Sequence, residues 1–455
     1  MERVPLKART KFGYGIGNFG IICATNAVII YLFYFYTDVV VFPPLLVSLA
    51  LAIPRFWDAF SDPMMGIISD RTKFSSGRRR PYIFWGTPVL VLSFILLWYP
   101  FTSGGAGLIF SYMLVANLLF TTSITIVSVP YMSLGGELSP EYHERTTVFA
   151  YSQAFGMIGG LFGAAMKLFA DYIPLPNERL CYFVSAALMS VPIFVFLWWT
   201  FFATKENYLP EKEREHVSLK KMLIANLKNH SFRNLMLTMM ISSAGMMFST
   251  QLLPLMLKYW IKLDKYIFHA TALYTFAVFL AFPLWKKIGE KHDKKTVMTF
   301  AFIGAGISYS LSFFMFRPGS AALMFSWAVL IGLFGAGGIL YPFSMIADIA
   351  DEDELNTGTR SEGIFYGTFS FIQKLTIACG SGMSGIVLWL SGFKGGAETQ
   401  TAKTLFMLRM VYVIPAVSFF ISAALIYFSY TLTEEKVKRI KAELDIRKRE
   451  GGQGQ

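Results

Sequence analysis

Charge is scarce in this sequence. Only 15% of its 455 residues are Asp, Glu, Lys or Arg, against about a quarter in soluble domains. Cysteine is nearly absent. Cys23, Cys181 and Cys379 all fall in apolar segments with no shared spacing, which excludes a disulfide framework and a zinc site. The five histidines are scattered and show no metal-ligand spacing. No small-residue cleavage site follows the basic start MERVPLKARTKFGYG, so it reads as a lead into a first membrane span rather than a removable signal. Gly-rich pieces such as GGLFG and GAGG sit inside apolar runs, where small residues let helices approach closely. They lack the strand and lysine of a phosphate loop. With no nucleophile–base pair, metal cluster or pore-lining ring, neither a membrane enzyme nor a channel is supported, and no cofactor is expected.

What is abundant is apolar. Hydrophobic residues make up 54% of the chain and 44 residues are Phe. A bilayer core takes roughly 20 apolar residues per helical span. Apolar runs lie at 12–37, 44–69, 82–102, 106–135, 147–171 and 178–203, then at 234–262, 266–288, 297–316, 320–347, 364–392 and 405–432. These predict an all-α integral membrane protein of twelve transmembrane helices in two six-helix bundles. Residues 1–203 form the first bundle, 204–233 a cytoplasmic linker, 234–432 the second bundle and 433–455 a charged, helical cytoplasmic tail. The net charge of +12 follows topology rather than nucleic-acid binding. With both termini in the cytoplasm, most of the Lys and Arg residues fall in cytoplasmic loops and termini, the positive-inside bias. The expected location is a cell membrane, plasma or inner.

The halves repeat. GIISDRTKFSSGRRRP follows the second run, with Asp70, Arg71 and Arg78, and KKIGEKHDKKT follows the eighth. Pro130–Tyr131 leads to Glu144 and Arg145, as Tyr341–Pro342 leads past Asp351 to Arg360 and Glu362. These charges are expected either to pair across halves and gate the cytoplasmic side, or to anchor helices at the headgroups.

An ionisable residue within a span is a functional hypothesis. The second run carries Arg55, Asp58 and Asp62 in IPRFWDAFSDPMMG. Asp58 and Asp62 share one helix face, a turn apart. Two carboxylates about 5–6 Å apart repel by roughly 3 kcal/mol at an effective dielectric near 20, or about two pKa units. Arg55 neutralises one at most, so the pair calls for a monovalent cation or a shared proton. Ser61 and Thr125 would add hydroxyl ligands. Pro63 and Gly66 are expected to interrupt or bend this helix and free carbonyls. Lys374, in GTFSFIQKLTIACG, either acts as the mobile partner of these aspartates or snorkels to the cytoplasmic face. Lys167, beside Asp171, is expected to snorkel.

RFWDAFSDPMMGIISDRTKFSSGRRRP resembles the second-span signature of the glycoside–pentoside–hexuronide:cation symporters, the melibiose-carrier relatives in the major facilitator superfamily. YGIGNFG, YFYTDVV, VPYMSLGGEL with ERT, and ADEDELNTGTRSEGIFYGTFSFIQK are similar too, so the resemblance covers almost the whole chain. It implies symport by alternating access, coupled to Na⁺ or H⁺, of a small-molecule substrate through a protein that functions as a monomer. It places a cation site on Asp58, Asp62, Ser61 and Thr125, and matches Lys374 to the family's eleventh-span lysine. Melibiose carriers have Asn where Ser61 stands, which leaves the ion open. Their sugar-binding acids and Arg are replaced by Ile22, Ser128 and Gln153, and their Trp by Met132. Candidate substrate contacts are then Asn26, Ser128, Tyr131, Gln153 and Tyr151. A sugar or glycoside is the expectation. A lysolipid or other amphiphile is the alternative, because related vertebrate lysolipid carriers share the WDAxxDP arrangement. An efflux exchanger also remains, since direction follows gradients as much as sequence.

Overall fold

A computed structural model describes residues 6–72, 74–138, 142–205, 229–358 and 362–452. Apart from one isolated bridge at Phe74–Gly77, the regular structure among these residues is helical. The helices are α1 (Ala8–Tyr34), α2 (Pro44–Arg71), α3 (Arg80–Leu97), α4 (Ala106–Glu137), α5 (Tyr142–Ala164), α6 (Met166–Tyr172) and α7 (Glu178–Ala203). Then come α8 (His230–Met256), α9 (Ile267–Gly289), α10 (Lys294–Met315), α11 (Ala321–Thr357), α12 (Glu362–Leu390), α13 (Ala402–Ser429) and α14 (Glu434–Gly452). Lipid forces this economy, because a backbone that cannot bond to water must bond to itself.

Among the described residues ten helices are long and apolar enough to cross a membrane, eleven when α5 and α6 count as one bent span. The remaining predicted span is α2, which at 28 residues has the length but carries Arg55, Asp58 and Asp62. Two departures from the sequence reading have local causes. The run at 147–171 breaks after Ala164 with a 40° bend. The tenth run continues as helix through Thr357, past the acids Asp348, Asp351, Glu352 and Asp353, before Gly358 ends it at φ +74°. Most of the expected linker, with Arg360, lies outside the described residues.

Contacts divide the chain into two compact units that are not simply its sequence halves. The first comprises 1–213, 250–272 and 381–406, and the second 214–249, 273–380 and 407–455. In the first unit, α1 and α5 meet through small residues. A Cβ on Gly159 would collide with the Phe19 carbonyl, and one on Gly163 with that of Cys23. Asn18 Nδ2 donates to Ser152 O at 2.9 Å, and Tyr31 Oη to Ala164 O at 2.5 Å, so polar groups close the same seam. Backbones this close exchange side-chain volume for dispersion contact, the usual route to helix association in membranes. In the second unit, α10 and α11 approach through Gly304 and Gly337, and Trp327 Nε1 donates to Ser308 O at 2.8 Å. The tail helix α14 lies on α11: Lys436 pairs with Glu352 at 2.6 Å, and Ile440 and Leu444 are buried.

Gly159→Ala is expected to force α1 and α5 apart at a cost of about 1–3 kcal/mol. Its melting temperature in detergent should fall below that of Gly136→Ala, where a Cβ meets open space. Equal melting temperatures would show that the seam yields.

Candidate functional site

Proline shapes the wall of the site. α2 runs unbroken from Pro44 to Arg71 with Pro54 and Pro63 inside it. The expected interruption at Pro63 and Gly66 is therefore absent from the helix. Each proline still removes the N–H that would bond four residues back. At Pro54 the abandoned acceptor is Ala50 O, and Asn117 Nδ2 of α4 supplies the missing donor at 3.0 Å. This bond fixes α4 against α2 two turns before the carboxylates. Farther along, Trp57 Nε1 donates to Thr122 Oγ1 of α4 at 3.0 Å.

These contacts set the register that brings Thr125 onto the two aspartates. Its hydroxyl lies 2.9 Å from Asp58 Oδ1 and 2.9 Å from Asp62 Oδ1. The Ser61 hydroxyl is 3.5 Å from Thr125 Oγ1 and 3.4 Å from the Asp58 carbonyl. Asp58, Ser61 and Thr125 are buried and Asp62 is partly so. All four residues named from the sequence thus meet in one oxygen cluster between α2 and α4. A hydroxyl has one hydrogen, so Thr125 serves one carboxylate at a time. Arg55, one turn earlier, acts on Asp58 electrostatically. Two carboxylates with two hydroxyls suit a hard monovalent cation. Among the described residues no group of three His, Cys, Asp or Glu is placed to hold a metal of another kind.

The candidate substrate residues fare unevenly. Asn26 is half-buried and donates to Gly160 O at 2.7 Å, leaving its amide oxygen for other use. Ser128 is half-buried, and Tyr151 and Gln153 are exposed. Tyr131 is different. Its ring is fully buried, stacked on Tyr14 at 4.5 Å, and its hydroxyl donates to Tyr14 O at 2.8 Å beside Ser152 Oγ at 3.0 Å. Tyr131 packs α4 on α1, and neither its ring nor its hydroxyl is open to a substrate.

Several of the candidate gating charges have partners within their own unit. Arg79, one position on from Arg78, bridges Asp70 at 2.7 Å and Glu137 at 3.1 Å, and Arg78 also binds Glu137. Glu144 accepts from Lys11 Nζ at 2.7 Å and from the Leu6 N–H at 2.9 Å. The Lys11 bond, then the backbone bond, hold its carboxyl below the usual range. In the second unit Asp351 faces Lys441 at 3.8 Å, and Asp348 binds Lys294 at 2.5 Å. Arg71 closes α2. The side chains of Arg145 and Glu362 lie outside the described residues, and Lys374 sits half-buried within α12. Glu137, Arg79 and Asp348 escaped the sequence reading, although the repeat signals them: an acid follows each of Pro130 and Pro342 by about two turns. Lys167 does not snorkel. It is 4% exposed, held between Asp171 at 2.9 Å and Asp264 at 3.3 Å.

The model of the family described as MFS/sugar transport protein matches residues 13–434. The chain belongs to this family. It is a multi-pass membrane transporter of the major facilitator superfamily, not an enzyme, and the resemblance to glycoside–pentoside–hexuronide:cation symporters holds. The putative glycoside/cation symporter YagG of Escherichia coli is 24% identical over 441 residues, covering 96% of this chain and 95% of its own. The sodium-dependent lysophosphatidylcholine symporter 1-A of Danio rerio is 24% identical over 452 residues, covering 90% and 83%. The inward-open structure of the E. coli xylose transporter XylE superposes with a TM-score of 0.69 at 13% identity, over 95% of this chain and 98% of that one. That likeness supports the fold alone.

Asp62→Asn is expected to abolish cation-dependent transport without loss of folded protein. Thr125→Val, close in shape, should weaken cation affinity about tenfold, or about 1.4 kcal/mol. Cation titration of the purified variants, read by calorimetry, checks both. Unchanged affinity in either removes that residue from the site.

Proposed function

We propose that this transporter is a symporter that couples a small solute to a monovalent cation, Na⁺ or H⁺, by alternating access. The observation that carries this is the Asp58–Asp62–Ser61–Thr125 cluster. Left without a cation, two neighbouring carboxylates in a membrane span repel by roughly 3 kcal/mol. A bound cation removes that penalty, so its presence biases any conformational equilibrium to which the two helices contribute. Lys374 and Arg55 are the charges proposed to respond to that occupancy. The charged cluster at Asp70, Arg71, Arg78 and Glu144, and that at Asp351, stiffen the helix ends on the side proposed to be cytoplasmic, with both termini on the same side of a cell membrane. The protein works as a monomer in this reading.

The cargo is proposed to be a sugar or glycoside, in keeping with the glycoside/cation name of one relative. Asn26, Ser128, Gln153 and Tyr151 are its candidate contacts. Tyr131 is left out because its hydroxyl is already committed. A second reading, transport of a lysolipid or similar amphiphile, is favoured by one observation. Where melibiose carriers place acids, an Arg and a Trp, this chain has Ile22, Ser128, Gln153 and the exposed Met132.

Melting temperature measured against panels of sugars and lysolipids, with and without Na⁺ at each of several pH values, separates these readings, because a ligand that binds only folded protein raises it. At a hundred times its Kd a ligand should stabilise by about 2.7 kcal/mol. A glycoside shift that grows with Na⁺ is the expected result. Shifts with amphiphiles alone would reassign the cargo, and shifts indifferent to both Na⁺ and pH would end the coupling proposal. Lys374→Ala should impair coupled uptake more than expression, and an unchanged uptake rate would make that lysine a snorkelling residue.

A further inference from the structure

Both α1 and α8 lose their ordinary winding at the ends farther from their N-termini. α1 passes into a π-helical segment at Phe35–Val39, and α8 into another at Leu257–Ile261. Single π turns are rare and concentrate at functional sites. Here the two are joined. The side chain of Asp38, in the first segment, is 0% exposed. Its Oδ2 accepts from Lys258 Nζ at 2.5 Å, and its Oδ1 accepts from the Tyr259 hydroxyl and from the Gly396 N–H at 3.1 Å. Lys258 and Tyr259 belong to the second π segment, and Gly396 to the loop between α12 and α13.

That loop is fitted closely. A Cβ on Gly395 would collide with the Thr37 carbonyl, and Gly396 takes φ +68°. Gln400 clasps the loop, donating to Lys394 O at 2.6 Å and accepting from the Lys394 N–H at 3.2 Å. The end of α1 itself is secured by another group. Arg179 of α7 donates from Nε to Val39 O at 3.0 Å and from Nη2 to Val40 O at 3.3 Å. Asp38 is thus not needed to finish its own helix. All three of its donors come from α8 and the α12–α13 loop.

A permanent joint would be cheaper in apolar side chains, because burying an ion pair carries a desolvation cost. An ion pair has a different advantage. When its partners separate, water repays that cost, whereas separated apolar faces gain nothing. Lys258 already has 30% of its side chain in contact with the exterior, so the first step of hydration is open.

We propose that Asp38 is the outer latch of the transport cycle. Its carboxylate holds α8 and the α12–α13 loop against α1 while that side is closed, and releases them when it opens. The proposal rests on the alternating-access reading and on placing this end of α1 outside the cell.

The test uses the purified full chain with no substrate. Spin labels go on the exposed positions Tyr172 and Glu398, after Cys379→Ser removes the exposed native thiol. Asp38→Asn keeps the shape and one accepting oxygen but discards the charge and the second acceptor. Gly395→Ala pushes the loop away and leaves every charge in place. Both are expected to raise the population of widely separated labels about tenfold. Exchanging the charges, Asp38→Lys with Lys258→Asp, should restore part of the short-distance population. Two results overturn the latch. One is a folded Asp38→Asn or Gly395→Ala protein whose distances match the parent. The other is loss of cooperative melting in both single variants, which would make the cluster a structural pin. Parent-like distances together with a Na⁺-dependent ligand shift would sink the latch and leave symport standing.

Discussion

One hydroxyl between two carboxylates is the interaction on which the rest of this molecule turns. Thr125 contributes a single hydrogen to Asp58 and Asp62, of which Asp58 is buried and Asp62 partly so. Anything that positions Thr125 therefore acts on the charge balance of α2. The chain of cause runs outward from there. Pro54 strips a donor from the Ala50 carbonyl, Asn117 replaces it, and the replacement sets the register of α4. A proline that would be a defect in a soluble helix here becomes the reason why two helices meet at one fixed offset. The span that fails a simple test of apolarity is α2, which carries Arg55, Asp58 and Asp62.

The repeat seen in the sequence has physical content. In the first unit the tyrosine after Pro130 donates across to a backbone oxygen of α1. In the second, Tyr341, just before Pro342, donates to the Trp285 carbonyl of α9. Each α4-like helix also carries, about two turns past its proline, an acid gripped by a base at or just before the start of the preceding helix: Glu137 by Arg78 and Arg79, Asp348 by Lys294. Two different sets of side chains thus solve one problem, anchoring the later turns of a long, proline-containing helix to the start of its neighbour.

The legible parts of the chain were those written in local chemistry. Apolar runs marked the spans because hydrophobic thickness is a length. Asp58, Ser61 and Asp62 declared a site because three polar residues within five positions have no place in lipid otherwise, and Thr125 joined them on the strength of resemblance and its hydroxyl. The illegible parts depended on partners far away in sequence. Lys167 looked like a surface lysine with one acid nearby, since Asp264 is nearly a hundred positions distant. Tyr131 looked available to a substrate until its stacking on Tyr14 was visible. The break after Ala164 and the helical stretch beyond residue 347 follow from packing and capping, which hydropathy does not report. The π turns that carry Asp38 and Lys258 leave no mark in composition at all.

The tail helix has a practical corollary for anyone handling this protein. α14 is bound to α11 by Lys436 on Glu352 and by Lys441 near Asp348 and Asp351, and it hides Ile440 and Leu444. Trimming the chain at the last span would therefore remove the packing of Ile440 and Leu444 and strip cations from an acidic surface in one cut. Affinity tags and fluorescent fusions belong after Gly452, where they extend a docked helix instead of replacing it.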